Sequence, residues 1–319
     1  MDSDVTAERR TAGRDAVTAI AAASARLARA GIESARLDAE LLMSGAAGVS
    51  RATLIAGGAE IDAAAAERFE RMVARREARE PLAYIVGHRE FFSLELAVRP
   101  GVLIPRPETE TVVEAALDFL RERERLADLY VVGAVRERPS YPTATVLDIG
   151  TGSGAIAIAI AVNAPGARIV ALDISKVSLE IAAENARRHR CPDRIAFLHG
   201  DCFAALEGSA PPFDPFDLIV SNPPYIAEAM FATLTPEVRD FEPSVALAGG
   251  RDGLDFYRKI AAGVPGWLAP DGEVILEVGA GQAEAVEAMM RAVGCAASVR
   301  KRDLAGIDRV VRARRTRTL

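Results

Sequence analysis

Four consecutive residues, Asn222-Pro223-Pro224-Tyr225, close an apolar run from Leu218 to Ser221 that has the length and content of a β-strand. Two prolines in succession fix φ and remove two backbone donors, so their carbonyls and the Asn222 side chain are held in preset directions. These residue types suit attack by a planar nitrogen. The lone pair of an amide or aryl amine is delocalised into the neighbouring π-system, which makes it a poor nucleophile. Acceptors from Asn222 Oδ1 and the Pro223 carbonyl can take both N–H hydrogens, orient the nitrogen and stabilise positive charge as it develops. Tyr225 can stack on the planar group. No strong base is needed first, because the proton can leave after the new bond forms. Holding nitrogen and an electrophilic carbon in line at about 3–3.5 Å is worth on the order of 7–11 kcal/mol. The bland alternative is a rigid Pro-Pro turn after a strand.

A second constellation begins Asp148-Ile149-Gly150-Thr151-Gly152-Ser153-Gly154, again at the end of a strand-like run, and continues into a helix of small and apolar residues. Glycines at alternate positions let the backbone turn tightly and let a ligand approach with no Cβ in the way. Asp173 ends the next strand-like run, nineteen residues beyond Gly154, where a carboxylate can accept hydrogen bonds from both ribose hydroxyls of an adenosine. A dinucleotide site prefers G-x-G-x-x-G, with pyrophosphate at the helix N-terminus. Here the spacing is G-x-G-x-G and Ala155 stands where that pattern wants glycine. A ligand without pyrophosphate, such as S-adenosylmethionine, fits better; a dinucleotide enzyme and a purely structural turn are the alternatives.

The elements that must position these residues are legible as periodicity. Val146 to Ile149, Ile169 to Leu172, Ile195 to His199, Leu218 to Ser221 and Val274 to Val278 read as strands. Ala155 to Val162 and Val177 to Arg188 read as helices between them, and the alternation implies a parallel sheet covered on both faces. Ala297 to Arg300 and Arg309 to Val311 suit an antiparallel hairpin at the sheet edge, and the loops after the strands should share one crevice. The first eighty residues read as a small helical bundle. Its apolar stripes are Val17, Ile20, Ala21, Leu27 and Ala28, capped by Gly31; Leu37, Leu41 and Leu42, ending near Gly45; and Ile61, Ala65, Phe69, Met72 and Val73. Between bundle and sheet, Tyr84 to Phe92 and Leu94 to Val98 read as a β-hairpin, and a helix is expected from about Thr111 to Arg121.

Composition narrows the partners. The 319 residues carry a formal charge of −6, and up to Glu80 there are 12 arginines against 13 acids. A protein whose main ligand is nucleic acid usually carries a basic footprint. The only dense basic cluster, Arg309, Arg312, Arg314, Arg315 and Arg317, reads most simply as a solvated, frayed tail. No apolar run reaches the roughly 18 residues a membrane span needs, and Met1 to Asp15, studded with charge, is not expected to act as a secretory signal. Cys191, Cys202 and Cys295 form no C-x-x-C pair, and His88, His189 and His199 share no metal-ligand spacing. The expectation is a cytoplasmic protein without a metal. His199 reads as structural and Cys202 as lacking an activated thiolate, while Arg106 and Glu108 suit either an ion pair or the shaping of a substrate entrance.

At these motifs the chain resembles a known family. Asn-Pro-Pro-Tyr after the fourth strand is similar to the signature of methyltransferases acting on planar nitrogens, adenine amino groups and glutamine amides among them. Further stretches resemble the glutamine branch, the HemK/PrmC family of release factor glutamine methyltransferases. These are Pro81 to Gly87 with Phe91-Phe92, Ile104 to Glu110, and Glu242-Pro243 through Gly249-Gly250, Asp252-Gly253-Leu254 and Tyr257-Arg258. The likeness runs from about Ala35 to the end.

The resemblance implies an α/β fold: a Rossmann-like class I methyltransferase sheet, seven-stranded and mostly parallel, with a small N-terminal helical bundle and a linking β-hairpin. It implies residues 1–82 as the part that recognises substrate, 83–106 as the hairpin linker and 107–319 as the S-adenosylmethionine-dependent domain. It assigns Gly150, Thr151, Gly152, Ser153, Gly154, Asp173, Phe203 and Asn222 to the cofactor, Phe203 flanking its adenine. Asn222, Pro223, Pro224 and Tyr225 would hold the glutamine of a release factor's Gly-Gly-Gln loop, with Asn222, Pro223 and Tyr225 catalytic. Peptide chain release factors are then the expected partners, of a monomer, with no direct nucleic-acid substrate. A ribosomal-protein glutamine or a nucleic-acid adenine is the alternative acceptor. One departure from the family pattern is 122–143, longer than its usual connection and expected to be a flexible surface insertion.

Overall fold

The structure is a computed structural model that describes residues 2–56, 61–130, 144–207, 213–302 and 306–315, with side chains left out of the description at 2–15, 126–130 and 297–299. It divides into two units.

The smaller unit, Met1–His88 with Thr235–Phe241, is helical. Its elements are α1 (Asp2–Arg29), α2 (Ala35–Ala47), α3 (Arg51–Ile55), α4 (Ala63–Glu77) and α5 (Leu82–Val86). The stripe that packs along α1 is Ala16, Ile20, Ala23 and Leu27, whereas Val17, Ala21 and Ala28 face outward. On α2, Ala35, Ala39, Leu42, Met43 and Ala46 are buried and Leu37 is exposed. In both helices alanine carries half of the packed face, so following the largest side chains rotates the expected stripe away from the true one. α2 also runs past Gly45 to a left-handed Gly48. The α4 stripe is as expected for Ala65, Phe69 and Val73, which are buried. A buried ion pair, Arg76 Nε to Asp38 at 2.8 Å, ties α4 to α2, and Arg76 and Arg79 both reach Glu237.

Tyr84-Ile85-Val86, expected as strand, forms α5. Pro81 stands immediately before its first residue and Gly87 is left-handed at its end, so the two terminators outweigh the β-branched content. The hairpin itself is shorter than expected, β1 (His88–Phe91) and β2 (Leu94–Ala97).

The larger unit, Arg89–Leu234 with Glu242–Leu319, holds the α/β layers. After β2 come α6 (Glu110–Tyr130), β3 (Ala144–Ile149), α7 (Ala155–Asn163), β4 (Ala167–Asp173), α8 (Lys176–Arg188), β5 (Ile195–His199) and β6 (Phe216–Ser221). Then follow α9 (Pro236–Phe241, in the helical unit), α10 (Asp255–Trp267), β7 (Leu268–Glu277), α11 (Ala283–Ala292), β8 (Cys295–Arg302) and β9 (Asp308–Arg315). The sheet order is β5-β4-β3-β6-β7-β9-β8, the first five strands parallel and β9 antiparallel to both neighbours. This is the mostly parallel seven-stranded sheet that was expected.

Alternate strand residues feed two cores. Val146, Ile169, Leu218, Val220 and Ile275 pack with α6 and α7, while Leu147, Ile149, Ile219, Val274 and Leu276 pack with α10 and α11. Burial on both faces is why these strands are continuous apolar runs rather than alternating ones.

Two expectations change here. α6 takes in the first part of the supposed insertion, up to Tyr130, and 131–143 lie outside the described residues. Arg309, Arg312, Arg314 and Arg315 are not a frayed tail but part of β9, where Arg312 forms a bidentate pair with the buried Glu273 of β7; Arg317 lies outside the described residues. An interior strand needs every other side chain buried, and Val311 and Ala313 supply that between the arginines.

Candidate active site

β3 and β6 are parallel neighbours in which Ile149 stands opposite Ser221. The glycine loop and the Asn-Pro-Pro-Tyr corner therefore leave the sheet side by side, one strand spacing of about 4.8 Å apart. The Ser221 hydroxyl donates to the Ile149 carbonyl at 2.6 Å, pinning the two strand ends together. Gly150 and Thr151 donate their backbone N–H groups to the Leu172 carbonyl, which folds the loop across the end of β4. Both loops open onto one cavity of about 450 Å³ lined by Gly150 to Ser153, Asp173, Ile174, Asn222 and Pro224, with Arg106 and Thr109 at another side.

Asp173 sits where an adenosine ribose would need it. Its Oδ2 accepts from Gly152 N at 2.9 Å and its Oδ1 from Ser175 N at 2.8 Å. Its acceptor capacity is not exhausted by these backbone donors, so the carboxylate can still take a hydrogen bond from a ligand. Burial raises its pKa while the hydrogen bonds from Ser175, Gly152 and Ile174 oppose the rise. Asp148 is completely buried; its Oδ2 accepts from the Thr151 hydroxyl at 2.7 Å and burial pushes its pKa to about 7.

Asn222 is half-buried on the cavity wall. Its Nδ2 donates to Thr109 Oγ1 at 2.9 Å, and Thr109 Oγ1 donates to Glu277 Oε2 at 2.6 Å. Among the described residues no hydrogen-bond donor is found on Asn222 Oδ1. The corner is braced from behind by Gln282, whose Nε2 donates to the carbonyls of Tyr225 (2.9 Å) and Gly253 (3.2 Å) and whose Oε1 accepts from Gly279 N at 3.0 Å. Gly253 has φ +79, and a Cβ there would lie 2.5 Å from the Tyr225 carbonyl, so this position of the downstream loop admits no side chain.

Not all the expected site residues reach the cavity. Gly154 faces away from it: with φ +83 it begins α7, and a Cβ would lie 2.7 Å from Ile158 Cδ1 and 3.1 Å from Ala182 Cβ, so it serves the packing of α7 on α8. Phe203 is buried behind the pocket, its ring against Gly263; Ile174, Cys202 and Phe256 form the nearby wall instead. Pro223 is buried and Tyr225 half-buried, its ring edge close to Gly279, with its pKa pushed up to about 12, chiefly by burial. Arg106 does line the cavity, but its ion partner is Glu242, not Glu108; Glu242 also accepts from Ile104 N. His199 holds the Ile174 carbonyl at 3.0 Å, and burial pushes the Cys202 thiol to about 11. Thr109, Glu277 and Gln282 carry no local sequence signal of a site role, although Thr109 lies in the Ile104–Glu110 segment that resembles the family.

Residues 18–87 match the family model described as the PrmC N-terminal domain, and residues 141–242 match a methyltransferase domain. A curated relative from Rhodospirillum rubrum, named release factor glutamine methyltransferase, is 43% identical over 291 residues, 91% of this chain and 82% of that protein. One of the same name from Geobacter sulfurreducens is 42% identical over 289 residues, covering 90% and 92%. The chain belongs to the release factor glutamine methyltransferase family. It is an S-adenosylmethionine-dependent methyltransferase. Among solved structures, the hMettl16 catalytic domain aligns over 79% of this chain and 82% of its own, with a TM-score of 0.51 and 13% identity, and shows the fold alone.

The residues of this methyltransferase fit that cofactor. The space above Gly150 is open, with no described atom beyond its own chain neighbours within 4 Å of where a Cβ would stand, and the next strand's end offers the carboxylate of Asp173. Among the described residues no group of three His, Cys, Asp or Glu could hold a metal ion, and no helix is long and apolar enough to cross a membrane.

Proposed function

We propose that this enzyme transfers the methyl group of S-adenosylmethionine to the side-chain amide nitrogen of the glutamine in the Gly-Gly-Gln motif of peptide chain release factors. The observation that supports the reading is the pairing of Ile149 with Ser221, which sets the glycine loop and the Asn-Pro-Pro-Tyr corner at adjacent strand ends over one cavity. The curated relatives' names supply the acceptor.

When bound, S-adenosylmethionine supplies an electrophilic methyl on a sulfonium. Asp173 holds the ribose hydroxyls, and the backbone of Gly150 to Ser153 cradles the rest. Asn222 Oδ1 and the Pro223 carbonyl accept the two N–H groups of the glutamine amide, directing the nitrogen lone pair at the methyl carbon. These two acceptors would meet the positive charge that the nitrogen gains as the carbon–sulfur bond of the sulfonium breaks, and one of the two N–H protons would leave afterwards. Pro224 forms the wall beside the amide and Tyr225 its aromatic flank. Residues 1–82 recognise the release factor body, 83–106 link, and 107–319 carry the chemistry. The enzyme works in the cytoplasm, as its three free cysteines suggest, and as a monomer.

Incubating the protein with labelled S-adenosylmethionine and purified release factor, ribosomal proteins or nucleic acid tests the acceptor. Label mapped by mass spectrometry to the Gly-Gly-Gln glutamine is the expected outcome; label on nucleic acid alone would overturn it.

A further inference from the structure

The two ends of an asparagine side chain have nearly the same shape but opposite hydrogen-bonding character. A corner that must accept N–H groups from a carboxamide works only with oxygen facing the cavity. The rotated side chain would present an NH₂ to the substrate's own NH₂. Two prolines hold the Asn222 backbone, but nothing in them selects between those two states. The selection must come from what the other end of the amide meets.

That end meets Thr109 Oγ1, and Thr109 in turn meets Glu277, which is almost wholly buried at the end of β7. We infer that Thr109 and Glu277 are positioning residues for the transfer: the Glu277 carboxylate, acting through the Thr109 hydroxyl, dictates that Asn222 turns Nδ2 inward and Oδ1 toward the substrate amide. The logic is one of donor counting. An ionised carboxylate can only accept, and a hydroxyl has one proton. With that proton committed to Glu277 Oε2, Thr109 has only lone pairs left for Asn222, and only Nδ2 can use them. The inference rests on the proposed amide acceptor and deepens it, since an orientation lock on Asn222 matters only to a substrate that donates hydrogen bonds.

The lock depends on the charge state of Glu277. Besides Thr109, this carboxyl faces Glu108 and Arg106 on the preceding turn, Arg309 on β9, and the phenols of Tyr225 and Tyr257. Burial is the largest influence and Glu108 adds to it, against Thr109, Arg309 and Arg106; the outcome is a pKa pushed up to about 7. A protonated Glu277 can donate to Thr109, which frees the hydroxyl proton to point at Asn222 and favours the rotated amide. Transfer should therefore rise with pH through about 7 as the carboxylate forms.

The test compares the wild type with T109V, T109S and E277Q, using a release factor and S-adenosylmethionine as substrates. Thr109→Val keeps the shape and removes the relay, and Glu277→Gln keeps the size but offers Thr109 a donor as well as an acceptor, so the hydroxyl proton is no longer held in one direction. Both should lower kcat about tenfold or more, the rate equivalent of losing one oriented hydrogen bond. Cofactor affinity by calorimetry and the circular dichroism spectrum should stay at wild-type values. Thr109→Ser should retain most of the rate, and the rise of kcat near pH 7 should be missing from E277Q. Wild-type rates in T109V and E277Q, or a pH limb that survives in E277Q, would overturn the relay. So would a loss confined to cofactor affinity, the mark of a merely structural pin. A wild type that methylates no release factor glutamine would instead bring down the proposed acceptor, and this is read before any variant is made.

Discussion

Replacing Asn222 with alanine takes away the corner's amide acceptor, and the deficit should appear in the chemical step. Loss of one preorganised group facing a developing charge costs about 10²–10³ in kcat, so N222A should be nearly inactive with cofactor affinity still measurable by calorimetry. Asp173→Ala should behave in the opposite way. The carboxylate proposed to hold the ribose disappears, and hydrogen bonds to a charged group are worth about 1.5–3 kcal/mol, so the dissociation constant for S-adenosylmethionine should rise by at least tenfold. At Tyr225 the ring and the hydroxyl can be separated. With its pKa near 12 the phenol stays neutral, and its aromatic face is the part assigned to the substrate, so Y225F should keep most of the rate and Y225A should not. These three residues were legible because local sequence marks them, a Pro-Pro corner in one case and the end of an apolar run in the other. Thr109 and Glu277 were not, since their relay joins positions 168 apart in the chain. Phe203 and Gly154 show the converse. They lie within a residue or two of cavity-lining neighbours but are turned into the core, and which way a side chain turns is decided by packing partners that spacing does not reveal.

Elements were read best where both faces are buried. Four of the five parallel strands agree within two residues because continuous apolar runs bounded by turns admit few other readings, whereas β7 begins at Leu268, six residues before the expected Val274, across a polar Pro-Asp-Gly-Glu stretch. Helix faces are harder to read where alanine does the packing, as on α1 and α2, and α5 forms against its β-branched content because Pro81 and Gly87 flank it. α9 had no sequence signal linking it to the helical unit; the link is electrostatic, Glu237 answering Arg76 and Arg79. That link and the Asp38 pair make Arg76 the most consequential charge in the helical unit. Removing one partner of a buried ion pair costs about 3–5 kcal/mol, so Arg76→Ala should lower the urea midpoint of that unit sharply. Exposed pairs such as Arg71 with Glu67 should contribute under about 1 kcal/mol.

For the molecule as a whole, two buried carboxyls titrating near 7, Asp148 and Glu277, link stability to pH. Both have folded-state pKa values raised above their ordinary values, so the folded chain holds protons that the unfolded chain has already released. Stability from this source is fully present below about pH 4 and falls as pH rises toward 7, by about 1.4 kcal/mol per pH unit for each group. Denaturant titrations at pH 5.5 and 7.5 should show the decline, with a shallower one in E277Q; an equal slope in that variant would remove Glu277 from the account. The state that folding favours at Glu277 is thus the opposite of the one the relay requires.

The order of the last two strands has a consequence for how the chain assembles. β9 lies between β7 and β8, so β8 has no seat on the sheet until residues 308–315 have been made and have paired. Until then Val274 to Leu276, which are fully covered in the finished fold, form an open apolar edge. A nascent or truncated chain ending before Asp308 would carry an intact cofactor loop and an intact asparagine corner, yet it would present a sticky border to its own copies and should accumulate as aggregate.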